Sequence, residues 1–104
     1  MIVVWAPLAI EHTREIAKYI AADKPEAALR WLDGFYHTAE RLTLFPQSSR
    51  VVPEVGRQEY REIIYRQSHR VIYRLESSRV LVLTVRNCAQ RLDLAEVVPI
   101  DRKR

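Results

Sequence analysis

Residues 60–88, "YREIIYRQSHRVIYRLESSRVLVLTVRNC", hold three apolar, β-branched runs separated by very short polar breaks. A break of about two residues can only reverse the chain, because parallel strands need a crossover of a dozen residues or more. The runs therefore predict an antiparallel meander: Tyr60–Arg66, a turn at Gln67–Ser68, His69–Glu76, a turn at Ser77–Ser78, then Arg79–Cys88. In the middle strand Val71, Tyr73 and Leu75 alternate with Arg70, Ile72 and Arg74, so each set occupies its own face. In the third, Leu81, Leu83 and Val85 are expected on one face and Val80, Val82, Thr84 and Arg86 on the other.

What precedes the meander is helical. "MIVVWA" reads as a short buried strand that Pro7 ends. Residues 8–22 then show helical spacing, with Ile10, Thr13, Ala17 and Ile20 on one stripe and charged residues largely on the other side. "ADKP" breaks this pattern, and Pro25 suits the first turn of a second helix, where its missing N–H leaves no bond unmade. That helix is expected over 25–44, burying Ala28, Leu32, Phe35, Ala39 and Leu42, with Leu29, Trp31 and Tyr36 beside them. Gly34 within it costs about 1 kcal/mol relative to alanine, which points to close packing or a bend. Residues 45–59 read as a loop.

The order is β-α-α-β-β-β, an α+β layer with a helix hairpin on one face of a small, mainly antiparallel sheet. One domain is expected over 1–92, and 93–104 as a tail, loose or ordered only by a partner because Pro99 interrupts any helix there. A helix hairpin covers one sheet face, so the opposite, arginine-bearing face is expected to be partly open.

Several kinds of chemistry find no support. Cys88 is the only cysteine, so neither an intrachain disulfide nor a thiolate metal cluster can form, and it reads as a small buried apolar residue. His12, His37 and His69 lack metal-ligand spacing, and no glycine-rich phosphate loop occurs. No metal and no cofactor is expected. No apolar run approaches a membrane span, and the N-terminus lacks the basic start of a signal peptide, so a cytoplasmic protein is expected.

Charge is what remains. The net charge is +4. Residues 1–50 hold six basic and six acidic residues, and 51–104 hold eleven and seven, so the whole excess lies in the second half. Residues 60–91 alone carry seven arginines and no lysine. Three uses compete. The arginines can bind phosphate through their planar forks, with Tyr60, Tyr65 and Tyr73 as stacking surfaces. They can stabilise the charge in a metal-free ribonuclease, with His69 or Glu62 as proton carrier. Or the sheet is a docking platform for an acidic or extended partner chain.

Taken in order, "PLAIEHTREIAKYIAADKPEAALRWLDGF", "RLTLFPQSSRVVPE", "YREIIY", "HRVIYRL" and "VLVLTVRNCAQR" resemble the RelE/ParE superfamily of bacterial type II toxins over about residues 3–92. The ordered set "P..SR..PE", "YREI", "RVIYR" and "VLTVR" carries the likeness, and the family has the same β-α-α-β-β-β order. The resemblance implies a stable toxin paired with a labile, cognate antitoxin protein that wraps it. Operator DNA would be bound only indirectly, through the antitoxin. It implies either a RelE-like, ribosome-dependent, metal-free mRNA endonuclease or a ParE-like inhibitor of DNA gyrase. Arg70 falls where the ribonucleases stabilise phosphate, Arg61 matches the first of two basic residues in the preceding strand, and Arg91 lies near a later arginine. The second basic position is Ile63, and the tail has neither the tyrosine nor the histidine that many of the ribonucleases use. The set is incomplete, which favours the ParE-like branch, with Arg61, Arg70, Arg74 and Arg86 as residues that meet target or antitoxin. If the chain is a nuclease, Arg61, Arg70 and Arg91 are the catalytic candidates, with His69 as a substitute proton carrier. A non-toxic binding module is the third reading.

Overall fold

The computed structural model describes residues 1–98. Expectations for Pro99 and beyond lie outside that range. Strand β1 (Ile2–Trp5) leads into helices α1 (Pro7–Asp23) and α2 (Pro25–Leu44). Strands β2 (Arg50–Val51), β3 (Tyr60–Tyr65), β4 (His69–Leu75) and β5 (Arg79–Asn87) follow, then a short 3-10 turn at Leu94–Glu96. The five strands form one sheet in the order β1-β5-β4-β3-β2, antiparallel except where β1 runs parallel to β5. The expected α+β architecture is present, with one addition. The segment read as a loop contains β2, a two-residue edge strand paired with β3 at Arg50–Glu62 and Val51–Arg61.

Both helices begin with proline at the first turn, where its missing N–H would be unpaired anyway. Pro25 starts α2 directly after α1 has ended, so the helices fold back as a hairpin on one face of the sheet. Their inner stripes (Ala9 from α1, Trp31, Phe35 and Leu42 from α2) meet Tyr65, Val71, Tyr73, Val80, Val82 and Val85 in the main core. Trp31 stacks on Phe35 with ring centres 5.0 Å apart, and both rings present edge-on to Tyr65. The stripe is narrower than its spacing suggests. Ile10, Leu29 and Tyr36 are exposed, because the sheet reaches only the central arc of each helix.

Gly34 is the close approach that its position predicts. A Cβ there would overlap the Tyr65 hydroxyl, which donates to the Trp31 carbonyl at 2.8 Å. The sheet thus touches the α2 backbone itself.

Two details of the meander differ from expectation. The first hairpin turns at Arg66–Gln67, one residue early, with both in the left-handed region (φ 51 and 61) and Ser68 N–H bonded back to Tyr65. In β5, Ile72 faces Thr84 but Tyr73 faces Val82, so Leu83 is an extra residue on that strand. This bulge breaks the alternation: Leu83 turns away from the helices, while Val85 joins Val80 and Val82 beneath them. Cys88, expected in the core, is exposed just past the end of β5.

The larger correction concerns the far face of the sheet, which is not open. Tyr60, Ile72 and Leu83 build a second core there with Val52 from the β2–β3 connection and Leu92 and Val97 from the tail. Asp93 caps the 3-10 turn by accepting a hydrogen bond from Ala95 N–H, and the turn brings Val97 back onto the sheet. Residues 92–98 are therefore not a loose end, since Leu92, Val97 and Val98 pack on the chain's own sheet while Leu94 stays exposed. Among the described residues, no helix is long and apolar enough to cross a membrane.

Candidate functional site

The far face carries a cluster of four charged side chains. Strand alternation puts Glu62 of β3 and Arg70 of β4 on this face, flanking buried Ile72. The Arg70 Nε donates to Glu62 at 2.7 Å. The outer edge of the same guanidinium donates to both oxygens of Glu54, at 2.8 and 2.7 Å, a bidentate fork. Arg50, from edge strand β2, closes the other side of Glu62. Glu62 is fully buried and Arg70 nearly so. Such burial is tolerable only because each charge is paired and hydrogen-bonded. The Arg70 hydrogen bonds hold Glu54 well below the usual carboxylate range, at about 2. The bonds it donates to Glu54, and then to Glu62, raise Arg70 further above its already high value.

Other arginines are also occupied. Arg74 and Arg79 share Glu76, which their hydrogen bonds lower, Arg79 foremost. Arg86 forms an ion pair with Glu96 of the 3-10 turn at 3.1 Å, and its second nitrogen donates to that carboxylate at 3.2 Å. Arg61 spends its donors on the Gln58 carbonyl, the Gln58 side chain and the Ser49 carbonyl. Arg66 lies over the Tyr65 ring, and Arg91 is exposed next to buried Leu92.

The residues singled out from sequence do not converge. Arg61 pairs with Tyr73 in register, so it belongs to the helix-side set with Ile63, whereas Arg70 lies on the far side. Ile63, where a ribonuclease would place its second basic residue, packs against the main core. His69 and Arg70 are adjacent on one strand and so point to opposite faces. The His69 ring meets Trp31 edge-on and lines a helix-side cleft of about 330 Å³ with His12, Tyr19 and Gln90. Burial lowers its pKa, favouring the neutral ring. Tyr60, Tyr65 and Tyr73 are all core residues and offer no stacking surface. Burial raises Tyr65 and Tyr73 further from ionisation.

Arg50 and Glu54 were not candidates from sequence. Their signal was the spacing of "SR..PE", which places both on the Arg70–Glu62 pair. Among the described residues no group of His, Cys, Asp and Glu is arranged to hold a metal ion.

Comparison with known proteins agrees with this fold. No curated protein matches the chain. A solved structure described as the chromosomal ParDE TA system from P. aeruginosa superposes with a TM-score of 0.72 at 15% identity, covering 84% of this chain and 95% of that one. At that identity the likeness is one of fold. The family model for the ParE toxin of the parDE type II toxin–antitoxin system matches residues 3–92, nearly the whole domain, and the chain belongs to the ParE toxin family.

Proposed function

We propose that this chain arrests growth as a type II toxin by binding DNA gyrase or a similar protein target, without cutting RNA, and that a cognate antitoxin protein neutralises it. Family membership supports the toxin role, and the ParDE system that shares the fold supports an antitoxin partner. Any contact with operator DNA would run through that antitoxin.

The observation that carries the non-nucleolytic reading is the state of Arg70. A phosphate-stabilising arginine needs a free fork and a proton carrier within about 3 Å of the reacting atoms. Arg70 has no free fork, because Glu54 and Glu62 take it. Neither proton carrier is available beside it: His69 lies on the other face, and Glu62 is fully buried with its carboxylate held by Arg50 and Arg70. The arginines that border this face, Arg74 and Arg86 among them, then serve as a surface that meets protein rather than RNA.

Purified protein added in large excess to a gyrase supercoiling assay is expected to inhibit it. Full supercoiling activity would sink the gyrase reading. Growth arrest on expression, relieved by co-expressing the neighbouring reading frame, is the expected sign of the antitoxin. A chain that leaves growth untouched would be a non-toxic binding module instead.

A further inference from the structure

The Glu54–Arg70 pair is held unequally from its two ends. The Arg70 side chain is 9% exposed and is fixed from beneath by Glu62, whose side chain is 0% exposed. The Glu54 side chain is 41% exposed and sits on the irregular segment between β2 and β3. Glu54 can therefore swing into water with little desolvation to reverse, while Arg70 and Glu62 must stay. When it leaves, the two outer N–H groups of a nearly buried guanidinium are left without an acceptor, which is costly unless another anion takes its place.

We infer that the outer edge of Arg70 is a carboxylate-exchange site, where an Asp or Glu side chain of a partner protein takes the two hydrogen bonds that Glu54 makes in the free chain. This rests on the reading that the far face meets a protein. The charge balance selects the ligand. Arg50 and Arg70 against Glu54 and Glu62 sum to zero, and exchanging one carboxylate for another keeps that sum. A doubly charged phosphate monoester would leave excess negative charge beside the buried Glu62, whereas a singly charged phosphodiester keeps the sum and is disfavoured by shape alone, being tetrahedral and bulkier than a carboxylate. The planar, two-oxygen geometry that Glu54 satisfies is also that of a carboxylate. Glu54 is a tethered competitor, present at an effective concentration on the order of millimolar or above, so it masks the site in the free protein. It sets a threshold that only a well-placed acidic side chain passes.

The test uses the full chain and small anions, and it needs neither gyrase nor an antitoxin. The Arg70 Nε–H resonance is followed in wild type and in Glu54→Ala during titration with acetate, at constant ionic strength held by chloride. Glu54→Gln, which keeps the side-chain bulk, is read in the same way if Glu54→Ala fails to fold. The expected result is a saturable shift in the variant, with half-saturation at about tenfold less acetate than in wild type. Dimethyl phosphate should bind more weakly than acetate. A blocked Gly-Glu-Gly peptide should bind at least as well as acetate. A linear drift alike in both proteins overturns the site. Dimethyl phosphate binding as well as acetate overturns the ligand class, and a peptide that fails where acetate succeeds overturns the protein source. A chain inactive on gyrase that still shows the saturable shift loses the proposed target and keeps the site.

Discussion

The two faces of the sheet are both buried, by different physics. The helix side is covered by regular elements, with Phe35 and Tyr73 fully buried in an aromatic and aliphatic core. Its stabilisation scales with apolar area, about 25 cal/mol per Å² removed from water, and is largely indifferent to direction. The far side has a smaller apolar core covered by the β2–β3 connection and the start of the tail. Irregular chain is held there by directed charge pairs: Arg50 and Glu54 reach in to Glu62 and Arg70, and Arg86 ties down Glu96. A covering made of loops relies on specific bonds, because loops have no continuous apolar stripe to present. Arginine in this sheet therefore acts first as a fastener.

Removing one fastener should have the largest effect. Arg70→Ala leaves Glu62 buried with only Arg50 against it, and should cost about 3 kcal/mol or more. The double variant Arg70→Met, Glu62→Leu removes both charges and should recover most of that loss. Urea denaturation of the three proteins measures both. If Arg70→Ala is no less stable than wild type, the cluster does not hold this face.

On the helix side the corresponding lesion is one of volume. Gly34→Ala should lose about 1 kcal/mol despite the better helix propensity, because the added methyl meets the Tyr65 hydroxyl. In a Tyr65→Phe background the same substitution should become neutral or stabilising, which thermal melts of the four proteins would reveal.

Acid separates the faces as well. The Glu54 pKa is depressed, so its contribution is present above its ordinary value of 4.5 and is lost as the pH falls from there toward about 2. Glu54→Gln should flatten the stability profile over that interval, whereas helix-side substitutions should shift the profile without changing its slope.

The one expected gain over the wild type lies at the hairpin tip. Arg66 and Gln67 adopt left-handed backbone that glycine and asparagine accept more readily. Arg66→Asn with Gln67→Gly should raise stability by about 1 kcal/mol, read as a shift in the denaturation midpoint.

These contrasts also explain what could be read from sequence. The helices and the middle strand were readable because each has a periodic face against the main core: Val71 and Tyr73 alternate with Arg70 and Ile72 in β4 as expected. β5 defeated the same logic, because a bulge at Leu83 adds a residue that no local pattern announces. The cover of the far face was missed because Val52, Leu92 and Val97 are scattered over irregular chain and have no period. The ion pairs link residues far apart in sequence, 12 positions for Arg50–Glu62 and 16 for Glu54–Arg70. Counting arginines therefore suggested an open basic face where most of them are matched by carboxylates. The family resemblance singled out Arg70, but no periodic pattern along the chain announced that Glu54 and Glu62 of the same chain take up its fork.

A sheet face closed by Glu54, Glu62 and the tail has no free fork at Arg70 to offer RNA. Mapping mRNA 5′ ends in cells after induction checks this. Growth should stop while no new 5′ ends appear; new ends at stop or sense codons, abolished by Arg70→Lys, would show that Arg70 serves RNA cleavage after all.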